Sequence, residues 1–501
     1  MFVLFGLRSS EMNGPPDQLT VAHRRDAART PASRTVADLL RTAPVIGRAD
    51  MTVRQAATLM TERDQDYVVI PQPGHGLGLL TDADIRARVV AAGRSLDTPV
   101  GEVVDGPAFV VDARTSAIDA LTELVDRDLT VIPVRDADGT VLGVVGANDF
   151  VADPAGSSMP LREQISRSQT VEELQGHAQR IPQLVADLVR RDRPAHEITQ
   201  VASLIVDAVV LRGLRLVVDS RPDVDPAAYT WLSLGSNARR EPVLSSDVDS
   251  AVVFDDSLGG SELDGYRGAF AELDDLLRGA GLTVDTKGAV ASKPLFSRTR
   301  SQWQTAARGW IDTPLEDKGM IFTSLILDGR PLAGPRRGSA APTPGVEMIG
   351  ALRADPRTMR LLLEESLSTK ARLRSMRDVL TRRPGAFDVK ANALTPLINI
   401  ARWVALSVES TEVNTRARLQ AASGSALLTD DDATTLTEVF DVLQRVRLRY
   451  QVAQFDRGET PTDVLEMGRL SPLDRSLVAQ AVREIAGVQR RMAGMSHYQV
   501  N

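Results

Sequence analysis

The tightest constraint in this chain is a turn followed by a spaced pair of acids. It runs Leu234-Gly235-Ser236-Asn237-Ala238-Arg239-Arg240-Glu241 and, four residues on, Ser246-Asp247-Val248-Asp249. Tyr229 to Leu234 is a short apolar run broken at Gly235-Ser236, which predicts a buried strand ending in a turn. Val248 to Phe254 is β-branched and aromatic, so Asp247 and Asp249 open a second strand. Side chains two apart on a strand share a face, and both carboxylates then project together toward the Gly-Ser turn. Two acids on one face repel each other unless a cation lies between them, and hard oxygen ligands suit Mg²⁺. The turn offers bare amides and a hydroxyl to phosphate oxygens, and Arg239 and Arg240 add positive charge. This is equipment for phosphoryl or nucleotidyl transfer.

The pattern resembles the nucleotidyltransferase superfamily signature: Gly-Ser, a spacer, then Asp-x-Asp on the next strand. It is most similar to the signal-transduction branch that contains the PII-protein uridylyltransferases, and within it to bacterial members that carry CBS domains. Gly235, Ser236, Arg239, Glu241, Ser246, Asp247 and Asp249 match that run in order. Ala238 stands where the family usually has Gly, and Arg240 where it often has a small residue; both would tighten the phosphate loop. The resemblance implies that Asp247 and Asp249 hold Mg²⁺, Gly235 and Ser236 the triphosphate, and Arg239 the departing pyrophosphate, with Arg240 and Ser246 beside the nucleotide.

At 501 residues the chain should hold about three domains. Hydrophobic residues make up 43 % and no apolar run approaches a membrane span, so a packed soluble protein of the cytoplasm is expected, with no membrane partner. Met1 to Leu7 are apolar but too few for a signal peptide and lack a basic lead. The absence of cysteine excludes disulfides and thiolate metal sites. A net charge of -7 and an aromatic content of 4 % argue against nucleic acid as a partner. A free nucleoside triphosphate and a protein acceptor fit better.

Residues 1-33, rich in Arg, Ala, Pro, Ser and Asp, are expected to be disordered. A repeat then begins. Val53, Ala56, Ala57 and Met60 mark a helical face, followed by Tyr67 to Ile70 and Gly76 to Ile85; about sixty residues later Ala117, Ala120, Leu121 and Leu124 are followed by Leu129 to Val134 and Val141 to Phe150. The tandem resembles a CBS-domain pair spanning 34-155, with copies at 34-92 and 98-155. In such pairs a Thr-x-x-Asp at the last strand-helix junction often holds an adenine nucleotide, which the resemblance carries to Thr81 and Asp84. The second copy has Gly146 and Asp149, so the hydroxyl is missing there. These acids also suit simple helix capping. CBS pairs often dimerise, so a homodimer is expected.

Asp153 to Ser158 reads as a linker, and Leu161 to about Val218 as two or three helices that lead into a catalytic domain spanning 160-340. His177 and His196 fall there, and without a ligand partner at helical spacing they read as surface or capping residues. Leu258 to Ala280 predicts a helix stopped by Gly281. Transfer of this type normally uses a third carboxylate as base. Asp285, after the next strand, is favoured; Asp328, closing the apolar run Ser324 to Leu327 that reads as another strand, is the alternative. Residues 345-501 read as an all-helical domain that resembles the family's substrate-binding domain. There Arg445 and Arg449 lie four apart on one helical face, facing either the cleft or solvent.

The expectation is therefore an α+β multidomain protein: a tandem CBS pair, a nucleotidyltransferase-type mixed sheet with helices, and a helical C-terminal domain. The leading activity is Mg²⁺-dependent transfer of a nucleoside monophosphate from a triphosphate to a protein or small molecule, uridylylation of a PII-type protein being the family's nearest example. Adenine nucleotides at the CBS pair would regulate it. The rival is a non-catalytic nucleotide sensor acting through a partner.

Overall fold

The computed structural model describes residues 34-72, 76-150, 158-286, 288-316, 318-334, 342-373 and 385-495. The expected disordered stretch 1-33 and most of the 153-158 linker lie outside them. Among the described residues no helix is long and apolar enough to cross a membrane.

The first repeat packs α1 (Val53–Arg63) on the antiparallel pair β1 (Tyr67–Pro71) and β2 (Leu77–Thr81). A reciprocal capping box between Thr52 and Gln55 starts α1, and Asp64 ends it in the left-handed region at φ 51°. The second repeat sets α2 (Ala117–Asp126) on β3 (Val111–Asp112), β4 (Val131–Arg135) and β5 (Val141–Gly146). Each has its own core, around Val53, Ala56, Met60 and Leu80 in one and Ile118, Leu121, Ile132 and Val145 in the other. The segment Val36–Leu39 precedes the first repeat in sequence but belongs in space to the second. The Val36 amide donates to the Thr115 carbonyl at 2.8 Å, and Val36 and Leu39 are buried in the second core.

Four helices follow: α3 (Met159–Arg167), α4 (Val171–Ala178), α5 (Ile181–Arg190) and α6 (Ala195–Asp219). The sequence predicts two or three helices here; four form, because short breaks at 168–170 and 179–180 add to the one at 191–194. The central sheet runs β10 (Arg330–Ala333), β6 (Tyr229–Leu234), β7 (Asp247–Phe254), β8 (Thr283–Val284), with β9 (Ser297–Thr299) also paired to β7. Alternation divides its two faces. Tyr229, Trp231, Val248, Val252 and Phe254 face α6 and α7 (Gly260–Gly279), continuing the core of the second repeat. Leu232, Leu234, Ala251 and Val253 face the opposite way, into the core of the C-terminal region.

The predicted strand at Ser324 to Asp328 is instead α9 (Gly319–Ile326), which follows α8 (Arg300–Asp312), with Asp328 in the turn before β10. A short unbroken apolar run does not distinguish a buried strand from a buried helix, and here Ile326 is buried on the helical side of the core. The C-terminal region comprises α10 (Pro344–Ala354), α11 (Pro356–Ser368), α12 (Thr395–Ser407), α13 (Thr415–Ala422), α14 (Asp430–Asp456) and α15 (Pro472–Met495). It is helical as expected, with one added ribbon of β11 (Ala386–Asp388) and β12 (Val464–Glu466).

One cluster of aromatic residues lies behind β6 and β7. Phe270 of α7 meets Tyr229 and Trp231 edge-to-face, each at 5.3 Å between centroids, and stacks on Phe254 at 6.2 Å. Phe270 is 1 % exposed. Phe270→Ala is expected to cost about 3–5 kcal/mol, measured as a lower urea midpoint for the sheet-bearing transition; a loss below about 1 kcal/mol would show that the cluster does not brace the sheet.

Candidate functional site

The site forms at the start of β7. Leu234, the last residue of β6, pairs with Asp249, so the turn at Gly235 begins beside that acid. Asp247 and Asp249 lie on the β7 face that turns toward the C-terminal region, the face of Ala251 and Val253. The parallel register Asp247 to Thr283 and Val248 to Val284 brings Asp285 level with Asp249 on that face. Three carboxylates thus converge on one sheet face from two strands. Gly235 adopts φ +58° and lies against Asp249: a Cβ at residue 235 would sit 2.2 Å from Asp249 Oδ2. Only glycine admits both the turn and the acid.

The electrostatics follow from this crowding. Burial raises the Asp249 pKa, and the like charges of Asp285 and Asp247 raise it further, to about 7, against the pull of Lys390 and Arg239. Asp285 accepts a 2.8 Å hydrogen bond from the Ala289 amide, which fixes its carboxylate. The Ser236 hydroxyl makes no hydrogen bond to another described residue and is part-exposed. A cavity of about 200 Å³ lies nearby, with Asn237, Ser246, Asp247 and Thr283 in its wall.

Other expected members take different positions. Arg239 is buried and divided between Glu241 Oε2 at 2.9 Å and Asp328 Oδ2 at 2.6 Å. Arg240, at φ 62°, points away from the turn; its guanidinium bonds Asp207 of α6 and Asp126 of α2. Neither arginine has a guanidinium left facing the acids, because buried cations take the carboxylates that neutralise them. Ser246 closes its own turn, its hydroxyl accepting from the Val243 amide at 2.9 Å.

Asp328, the alternative third acid, does not reach the cluster. It is 1 % exposed and receives the guanidiniums of Arg239, Arg402 and Arg418. Burial alone would raise its pKa, but Arg402, Arg418 and Arg239 together hold it well below the usual carboxylate range. It serves as the counter-ion of three guanidiniums, which leaves it poorly placed to accept a proton.

Sequence reasoning looked to Arg445 and Arg449 for the contribution of the C-terminal region and passed over Asp463 and Lys390. Asp463, just before β12, accepts from Ser245 Oγ at 2.7 Å, Arg447 Nε at 2.7 Å and Gln451 Nε2 at 2.9 Å, tying the loop before Asp247 to α14. Lys390 follows β11 and acts on both Asp463 and Asp249. The stripe expected at Arg445 and Arg449 is displaced, since Arg449 pairs with Asp192 at the surface while Arg447 points inward. His196 is part-buried rather than superficial: desolvation and the neighbouring Arg416 lower its pKa to about 4, and its Nδ1 lies 2.9 Å from Arg416 Nη1.

In the repeats, Thr81 and Asp84 form a reciprocal cap, with Thr81 Oγ1 2.6 Å from Asp84 Oδ2, and Arg88 adds an ion pair to Asp84. Asp149 accepts from the Gly146 amide at 2.8 Å. Both acids therefore serve their helix starts, while keeping roughly a quarter of their side chains exposed, 26 % and 28 %.

Among the described residues no three His, Cys, Asp or Glu side chains are gathered tightly enough to hold an ion unaided. Mg²⁺ usually takes one or two protein carboxylates and completes its shell with phosphates and water, so the Asp247 and Asp249 pair fits it in the presence of a substrate. A carboxyl whose folded pKa is raised adds stability that is complete below its unfolded value of 3.8 and lost as pH rises through about 7. Asp249→Asn is therefore expected to flatten the fall in stability between these limits and to leave the metal-free protein more stable than wild type at pH 8. Urea titrations across that range test it; an unchanged slope would remove Asp249 as the strained group.

Family models match most of the chain. Residues 36–91 and 100–155 match "CBS domain", 179–317 match "Putative nucleotidyltransferase DUF294", and 356–495 match "Putative nucleotidyltransferase substrate binding domain". The chain thus carries a CBS pair ahead of a nucleotidyltransferase-type domain and its companion. The CBS domain-containing protein YhcV of Bacillus subtilis is 28 % identical over 129 residues, 25 % of this chain and 92 % of YhcV. Arabinose 5-phosphate isomerase GutQ of Escherichia coli is 30 % identical over 140 residues, covering 26 % of this chain and only 43 % of the isomerase. Among solved structures, a CBS domain protein from Pyrobaculum aerophilum complexed with AMP is 20 % identical, with a TM-score of 0.23, over 25 % of this chain and 95 % of that one.

Proposed function

We propose that this chain is a Mg²⁺-dependent nucleotidyltransferase that moves a nucleoside monophosphate from a triphosphate onto a protein or a small molecule. The observation that carries the reading is the convergence of Asp247, Asp249 and Asp285 on one sheet face, beside the Gly235 turn. Asp247 and Asp249 would hold Mg²⁺, which supplies charge neutralisation for the triphosphate. Gly235 and Ser236 would meet phosphate oxygens, and Asp285 would take the proton from the acceptor hydroxyl. Uridylylation of a PII-type protein is the specific form suggested by the sequence resemblance. Arg240, expected to tighten the turn, has its side chain directed to Asp126 and Asp207, which leaves the turn open.

Incubation with each labelled nucleoside triphosphate, Mg²⁺ and lysate proteins tests the activity. Asp247→Asn with Asp249→Asn should abolish Mg²⁺-dependent triphosphate binding and transfer. Asp285→Asn should lower transfer roughly 10²–10⁴-fold with little change in triphosphate affinity, as expected for a positioned base. Triphosphate binding without transfer to any acceptor would favour the sensor reading; binding untouched by the double substitution would end both.

Regulation would come from an adenine nucleotide at the CBS pair, which could also form the contact of a homodimer. The Asp126–Arg240 bond supports such gating, since it joins the second repeat directly to the turn of the site. Asp84→Asn is expected to weaken adenine-nucleotide binding about tenfold or more while leaving Mg²⁺-triphosphate affinity at the Asp247 site unchanged. Isothermal titration of the full chain measures both, and equal adenine-nucleotide affinity in the two proteins would remove Asp84 from the regulatory site.

A further inference from the structure

The acidic face of β7 needs a cation to receive a triphosphate, and the obvious ones are already used. Arg239 is held by Glu241 and Asp328, Arg240 by Asp207 and Asp126, and Arg330 by Asp207. Arg402 and Arg418 are spent on Asp328, and Arg447 on Asp463. Lys390 differs from all of them. It is exposed, and it forms no ion pair or hydrogen bond through its ammonium with another described residue.

Its backbone is nonetheless well fixed. The Val389 amide donates to the Asp463 carbonyl at 3.0 Å, and β11 pairs with β12 just before it. Asp463 is in turn bonded to Ser245, two residues before Asp247. The C-terminal region therefore carries Lys390 toward the acid cluster, two residues past the end of β11 and at the start of the helical segment Lys390–Leu394. A lysine ammonium is a compact charge with three donors, suited to phosphate oxygens whose position shifts during transfer.

We infer that Lys390 binds the β,γ-phosphate end of the Mg²⁺-triphosphate, so that the C-terminal region completes the nucleotide site. The inference rests on the nucleotidyltransferase reading above. It deepens it by assigning to the helical region a contact with the donor nucleotide rather than with the acceptor alone. The triphosphate would arrive with its charge largely neutralised by Mg²⁺, and Lys390 would take the remaining negative charge at the leaving end. Asp463 is a positioning residue, holding the end of β11 against the Ser245 loop.

Because Lys390 is exposed and bonded to little else, Lys390→Met should leave thermal unfolding unchanged, so that a loss of binding reports on the site. The test is titration of the full chain with Mg²⁺ and non-hydrolysable triphosphate, diphosphate and monophosphate analogues of the preferred nucleotide. Lys390→Met is expected to weaken triphosphate binding about ten- to a hundredfold, to affect the monophosphate little, and to leave binding of Mg²⁺ alone undiminished. Lys390→Arg should recover most of the affinity. Equal losses for triphosphate and monophosphate, or no rescue by arginine, would overturn the assignment, as would unchanged binding with slower transfer, which would move Lys390 to the acceptor. If wild type binds no Mg²⁺-triphosphate, the nucleotidyltransferase reading itself fails; if it does bind, and only the Asp247→Asn, Asp249→Asn protein loses it, Lys390 alone is wrongly assigned.

Discussion

Asp328 is the charge on which the geometry of the site depends. A lone carboxylate at 1 % exposure would be driven to its neutral form, yet three guanidiniums from three parts of the chain hold it ionised. Arg239 comes from the loop after the Gly235 turn, Arg402 from α12 and Arg418 from α13. Glu241 continues the network, accepting from Arg239 and from the Thr415 amide at 2.8 Å. The loop between β6 and β7 is thereby clamped to the C-terminal region by charge on both sides of its midpoint. Removing one partner would leave buried arginines uncompensated, a loss of about 3–5 kcal/mol for such an arrangement. The acids of β7 can remain strained against one another because the scaffold around them is satisfied.

Arg240 works in the opposite direction. Its backbone takes a left-handed conformation that costs a bulky residue on the order of 1 kcal/mol or more. That conformation turns the side chain out of the loop and under α6, where Asp207 also receives Arg330 and the Asn237 amide. Asp126 of the second repeat closes the same group. Two adjacent arginines, 239 and 240, thus bind the turn to different neighbours: one to the C-terminal helices, the other to the repeats. A displacement of α2 would be felt first at Arg240, one residue from the Asp328 network.

Much of this was legible in the chain itself. The Gly-Ser turn and Asp-x-Asp pair depend on strand alternation and local turn chemistry, both of which are written within about twenty residues. The repeats show in the return of Ala117, Ala120, Leu121 and Leu124 after Val53, Ala56 and Met60. The partners of the two arginines were not legible, because Arg239 meets an acid 89 positions away and Arg240 one 114 positions away. Charge type says that an arginine seeks an anion, and a phosphate and a distant aspartate satisfy that equally well. The same limit hid Asp463 and Lys390, whose approach to β7 is set by a three-residue ribbon too short to leave a period in the sequence. Asp328 followed an apolar run that was equally good as strand or helix, and tertiary packing decided for the helix.

The strap formed by Val36–Leu39 fixes what can be inherited or excised as a unit. The second repeat draws two of its buried residues from chain that lies before the first, so its core is closed only when both copies are present. A cut between the copies, however well placed in an exposed loop, would strip the downstream piece of Val36 and Leu39 and leave an apolar trough where they lay. The pair is therefore the smallest piece that can be duplicated, lost or grafted ahead of another domain intact.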